Sequence, residues 1–185
     1  MTKLQCPYGL LRVRWLLALS TVSIVLAIAY GSFLRQQGAP LLKLLKNGIV
    51  TLELPWDSER AQQLVAALGE DGIRIATLQV QLDFAFLLLY PIALSTTCAL
   101  FARHVGPVLG RLGMVMAWAV LMAAPLDAIE NLAILKMLGG HTAAPWPMLS
   151  TICAAAKFSL VIGALLYAAA GAVAWTLRAL RVRSA

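Results

Sequence analysis

The chain has 185 residues, 61% of them hydrophobic and 12% charged, with a formal net charge of +7. Soluble domains hold roughly 45–50% apolar and about 25% charged residues. The apolar excess excludes a single soluble core and fits helices whose outer faces also meet lipid. The basic residues flank apolar runs instead of gathering on one face, and no nucleic-acid motif is present, so nucleic acid is not an expected partner.

Four runs have the ~20 mostly apolar residues that a helix needs to cross about 30 Å of hydrocarbon. They are residues 15–34, 82–102, 112–132 and 149–177. The expectation is an all-α membrane protein, a single membrane domain over residues 1–185. Its form is a four-transmembrane-helix bundle with a small extracytoplasmic cap, residues 35–81, after the first helix.

Lys3, Arg12 and Arg14 precede the first run. This run has a rival reading as a signal peptide, because its n-region is basic and Ala27-Ile28-Ala29 resembles a cleavage site. The apolar stretch continues through Tyr30, Phe33 and Leu34 to full spanning length, which favours an uncleaved anchor. Cleavage would leave three spans. Cys6 lies before the run and cannot be a lipoprotein cysteine following a signal sequence.

The cap begins with Pro40-Leu41-Leu42-Lys43-Leu44-Leu45-Lys46, a short amphipathic turn suited to the headgroup region. Residues 49–54 are β-prone. Asp57 or Ser58 can cap a helix that runs to about Leu68, with Glu59 in its first turn. Ala61, Leu64, Val65 and Leu68 then form one apolar stripe, and Gly69 is placed to end the helix. The segment reads as a simple cover over the bundle or as a lid over a site.

Charge sets the orientation. Arg103 and Arg111 lie between the second and third runs, and Arg178, Arg181 and Arg183 follow the fourth. With Lys3, Arg12 and Arg14 they fall on one side of a four-span chain, which should be the cytoplasm. Residues 35–81 carry five basic and five acidic side chains, and the loop near 139–147 carries no Lys or Arg, so both belong outside. The expected location is a bacterial inner membrane with both termini cytoplasmic.

Four charges stand inside apolar runs: Asp83, Asp127, Glu130 and Lys157. A charge at the centre of a spanning helix costs ~2.5–3.5 kcal/mol on insertion scales, so each needs a partner, a cavity or an interfacial position. Asp83 lies 20 residues from Arg103, and Glu130 lies 19 residues from Arg111. Asp127 lies 16 from Arg111, and Lys157 lies 21 from Arg178. At ~1.5 Å per residue these separations put all four in one outward layer. Asp127, Glu130 and Asn131 are spaced i, i+3, i+4 and share a helix face, as do Asp83 and Tyr90 seven apart. The predicted site is an outward-open pocket lined by Asp83, Tyr90, Asp127, Glu130, Asn131 and Lys157, with one acid protonated against its like-charged neighbours. Two plainer readings compete. The residues snorkel independently into headgroups, or they form an ion-pair network that fixes helix register without a ligand.

The remaining signals are weaker. Gly106 to Gly110 reads as a turn despite its GxxxG spacing, and Ala164, Ala168 and Ala172 make a small-residue stripe for close packing. Trp56, Trp146 and Trp175 are expected interfacial anchors. Cys98 and Cys153 read as small core residues. His104 and His141 fall on opposite sides of the predicted membrane. No metal or cofactor is expected, since no HExxH, phosphate loop or GxSxG occurs.

The stretches Asp83 to Tyr90, Pro125-Leu126-Asp127-Ala128-Ile129-Glu130-Asn131 and Ala156-Lys157-Phe158 resemble a group of small, uncharacterised bacterial four-pass inner-membrane proteins. In that group a segment similar to Leu52-Glu53-Leu54-Pro55-Trp56-Asp57-Ser58-Glu59-Arg60-Ala61 also precedes the second span. The resemblance covers the chain from about Gly48 onward, with Asp-x-x-Glu-Asn its most specific part. It implies the topology and the polar layer, but no activity. Sterol-isomerase-type four-helix proteins offer a looser analogy, in which intramembrane acids hold a cationic or polarised lipid-like ligand.

Three functional readings follow. The leading one is a binding protein for a lipid or small amphiphilic molecule, with membrane lipid as its surroundings. The second is a membrane enzyme that uses a carboxylate pair on a lipid or isoprenoid. The third is an accessory subunit or assembly factor of a membrane complex, or a homo-oligomer, docking through the alanine-rich fourth helix.

Overall fold

A computed structural model describes residues 7–183. Lys3, Cys6 and the side chains of Arg181 and Arg183 lie outside the described residues. Among the described residues all regular structure is helical, in the order α1 (Val13–Gln37), a 3-10 turn (Ala39–Lys43), α2 (Val50–Glu53), α3 (Ser58–Ala102), α4 (Pro107–Ala119), a second 3-10 turn (Val120–Met122), α5 (Ala123–Leu138) and α6 (Trp146–Arg183). Four stretches are long and apolar enough to cross a membrane: Val13–Gln37, Ser58–Ala102, Pro107–Leu138 and Trp146–Arg178. They pack as an all-α bundle. Large apolar side chains stay open on every one, among them Val25, Leu88, Leu132 and Leu166. Lipid-facing helices need that outer coat.

The local signals explain most of the boundaries. The Asp57 carboxylate accepts from the Arg60 N–H at 2.7 Å and caps α3. Gly69 sits at φ 61° and ψ −178°, a conformation open to glycine, and breaks α3 where the first apolar stripe ends. The helix then resumes and runs to Ala102, starting well before the expected 82. Ala76 and Val80 are both buried, so this extra length carries its own apolar face. Residues 49–54 differ from their β-prone reading, for α2 is helical. A lone strand leaves its backbone groups without partners, whereas Thr51 and Leu52 donate locally to the carbonyls of Gly48 and Ile49. The third span starts at Pro107, so Arg111 is helical. Gly106 is the turn residue before α4, and Gly110 lies one turn inside it.

The chain divides into two compact units. One comprises the chain through Ala27, Leu89–Ala123 and the residues from Phe158 onward, and the other comprises Ile28–Leu88 and Ala124–Lys157. The first is built on Leu16, Cys98, Ala117, Val120, Ala164 and Tyr167. Hydroxyl pairs reach α3 there from α1, Ser20 with Thr97 at 3.0 Å, and from the turn before α1, the Tyr8 hydroxyl donating to Ser95 at 3.2 Å. The Arg103 guanidinium donates to the carbonyls of Tyr8 and Leu11. The second unit packs Leu41, Leu52, Leu64, Leu68, Val80 and Ile134 into one core. Leu41 and Leu45 of the amphipathic turn are buried while Leu42 and Leu44 are open.

Gly113 marks the closest approach in the first unit, because a Cβ there would meet the Tyr167 hydroxyl and the Ala102 methyl. Gly113→Ala therefore overpacks a tight helix contact and should cost about 1–3 kcal/mol. A lowered unfolding midpoint in detergent is the expected outcome.

Candidate functional site

The site begins with one turn of α5. Spacing of three and four residues puts Asp127, Glu130 and Asn131 on a common face. Pro125 stands just before them, and its missing N–H and bulky ring disfavour a regular turn behind it. The 3-10 stretch Val120–Met122, which contains Leu121 four residues back, relieves that conflict. All three polar side chains are buried, with Glu130 0% exposed.

Lys157 reaches this face from α6. Its ammonium donates to Asp127 Oδ1 at 2.8 Å and to Glu130 Oε1 at 2.9 Å. Glu53 Oε2 lies 3.6 Å from the same nitrogen. Beside this group, Asn131 Nδ2 donates to Asp83 Oδ2 at 2.8 Å, which ties α3 to α5. Asp83, Asp127, Glu130, Asn131 and Lys157 all belong to the unit of Ile28–Leu88 and Ala124–Lys157. Tyr90 belongs to the other unit, where its hydroxyl donates to the Ala123 carbonyl at 3.4 Å.

Glu53 was not among the residues singled out from sequence. It is one of five acids in the cap, and its own residues read as β-prone. The available signal was its company. Glu53 stands between Leu52 and Leu54, whereas Asp57, Glu59, Glu70 and Asp71 have polar or glycine neighbours. An acid between two leucines in a segment that turns inward carries its carboxyl with it. The segment is held from α6, where Ser150 Oγ donates to the Glu53 carbonyl and Thr151 Oγ1 accepts from the Trp56 N–H, each at 3.1 Å.

Four carboxyl groups thus stand with one ammonium. Burial pushes the Glu53 carboxyl above its ordinary range. Lys157 acts against that rise, and Asp127 and Asp83 add to it. Glu53 Oε2 and Glu130 Oε2 are buried with no hydrogen-bond partner. A buried oxygen without a donor is costly, so this arrangement favours an added proton or cation. Asp127, Glu130, Asn131 and Lys157 are each at most 6% exposed, while Glu53 and Asp83 are only partly buried. A separate cleft of about 520 Å³, lined by Gln62, His141, Thr142 and Trp146 among others, carries none of the cluster residues. Among the described residues, no three His, Cys, Asp or Glu side chains are arranged to hold a metal ion.

Comparison with protein families, with curated proteins and with solved structures found no match to this chain.

Removing one partner from a buried ion cluster leaves the others uncompensated, at a cost of ~3–5 kcal/mol. Lys157→Met should therefore cause a severe loss of folded protein, seen as a fall in monodisperse yield. Neutralising the acids in the same chain, as Lys157→Met with Asp127→Asn and Glu130→Gln, should recover much of that yield.

Proposed function

We propose that this chain is a membrane binding protein that holds a lipid-like or amphiphilic cation in its acidic cluster. It resides in a bacterial inner membrane with both termini cytoplasmic and the cluster toward the outside. The basic residues that flank the spans support this orientation, since Arg103 and the three arginines after the fourth run fall on the side of the N-terminus.

One observation carries the reading. Glu53, Asp83, Asp127 and Glu130 gather with a single lysine, and two of their buried oxygens accept no hydrogen bond. An ammonium headgroup supplies the positive charge and the donors that the cluster lacks. An apolar tail suits the surroundings, because the helices that carry these residues are coated with open leucine, isoleucine and valine side chains. Asp127 and Glu130 are the main polar contacts in this account, Asp83 and Glu53 line the opposing side, and Lys157 keeps the acids together when the ligand is away.

Titration of the protein in nanodiscs with dodecyltrimethylammonium, against neutral dodecyl maltoside, tests the reading. The ammonium compound should bind at least about tenfold more tightly, and Glu130→Gln or Asp83→Asn should weaken it by about tenfold, or ~1.4 kcal/mol. Equal affinity for the charged and neutral compounds, or unchanged binding in Glu130→Gln, would leave the cluster as a structural ion-pair network.

A further inference from the structure

Lys157 and the acids of α5 are buried, so a ligand of the kind proposed needs a way in. Its acids differ in where they are mounted. Asp83, Asp127 and Glu130 stand on the spanning helices α3 and α5, while Glu53 ends α2, a helix of four residues outside the spans. Gly48, at φ 57°, precedes α2, and Trp56, at φ 63°, follows it. Positive φ is uncommon for a bulky residue and marks a backbone held in place by its surroundings.

The segment is anchored at a few points: Gly48, Leu52 and Pro55 are buried and Ile49 packs against the core, while Val50 is open and Trp56 is 70% exposed. Two hydrogen bonds to Ser150 and Thr151 and the Glu53 carboxyl complete the attachment. Glu53 faces Lys157 from α6, Asp127 and Glu130 from α5, and Asp83 from α3. One ammonium and three carboxyl groups surround it. Neutral Glu53 is tolerated there, whereas ionised Glu53 meets a net negative environment. Both unpartnered oxygens, Glu53 Oε2 and Glu130 Oε2, belong to two acids whose side chains interact, so a proton on one carboxyl can be shared with the other.

We propose that residues 48–56 form a lid over the acidic cluster, latched by a proton held between Glu53 and Glu130, and that loss of this proton to water opens the cluster to the outside. The direction follows from linkage. A carboxyl that holds its proton more tightly when the lid is shut favours the shut form at low pH. That preference is lost as pH rises through its titration. The raised range of buried Glu53 agrees with this sign. The lid rests on the reading of this cluster as a binding site, for which it supplies the way in.

The native thiol Cys153 provides the test. It is 5% exposed and lies one turn before Lys157 on α6. In full-length protein with Cys6→Ser and Cys98→Ala, alkylation of Cys153 by a membrane-impermeant maleimide is followed against pH, with and without Glu53→Gln. Each rate is divided by that of the same protein unfolded at the same pH, and the ratio of the two normalised rates reports the lid. The ratio should stay near one at low pH. It should rise on the order of tenfold at high pH, the gain when an open state of roughly 10% becomes the dominant one. Thr151→Val removes the acceptor for the Trp56 N–H and should raise labelling at every pH, independent of charge. Equal rates with and without Glu53→Gln across the whole range, or labelling at low pH as fast as in unfolded chain, overturns the proposal. No ligand enters this experiment. A lid that responds without cation binding defeats only the binding reading, and cation binding without a pH-dependent lid defeats only the latch.

Discussion

The ammonium of Lys157, held at 2.8 and 2.9 Å by Asp127 and Glu130, is the interaction on which the rest of this unit depends. An isolated charge is expensive among apolar helices, and a buried pair is tolerable only when its geometry is good and its remaining atoms are satisfied. That requirement fixes α5 against α6 in both register and rotation. It also reaches beyond the spans, because Glu53 brings α2 to the same nitrogen. The Asn131–Asp83 hydrogen bond extends the constraint to α3. Four elements of the chain are thereby committed to one polar centre inside an otherwise apolar unit.

The two units solve the problem of helix association differently. Lipid gives helices little hydrophobic reason to associate, so packing and hydrogen bonds must do more. The first unit relies on small residues and hydroxyls. Ala117 and Ala164 let helices approach, and Ser20, Ser95 and Thr97 make local and interhelical hydrogen bonds. The second unit uses a leucine-rich core that includes the cap, together with ionised side chains. A protein that needed only register could have used hydroxyls in both. The surplus of acids over bases in the buried cluster is the feature that a simple packing role leaves unexplained.

The four spans were legible in the sequence because an apolar run of about twenty residues matches the thickness of the hydrocarbon layer and exceeds what a soluble core asks of one helix. The end of the first half of α3 was legible too, since Asp57 and Gly69 are local signals with local causes. The association of Asp127, Glu130, Asn131, Lys157 and Asp83 followed from helical spacing and from the cost of burying each alone. Glu53 was not legible, because its position depends on how a short segment between helices folds back, which no periodicity encodes. The same limit hid the helical form of residues 50–53, where β-branched neighbours point toward a strand and the absence of a pairing partner decides otherwise. The burial of Asp127, Glu130 and Lys157 was equally out of reach, since spacing shows which side chains share a face and not what covers them.

The convergence of Glu53 on the same Lys157 ammonium links the segment outside the spans to the acids within them. A double-mutant cycle in detergent or nanodiscs, comparing Glu53→Gln, Lys157→Met and the two together by unfolding free energy, tests it directly. The double variant should be more stable than the sum of the single effects implies, by more than about 1 kcal/mol. Additivity to within about 0.3–0.5 kcal/mol would show that the two side chains do not interact, and would contradict the shared cluster.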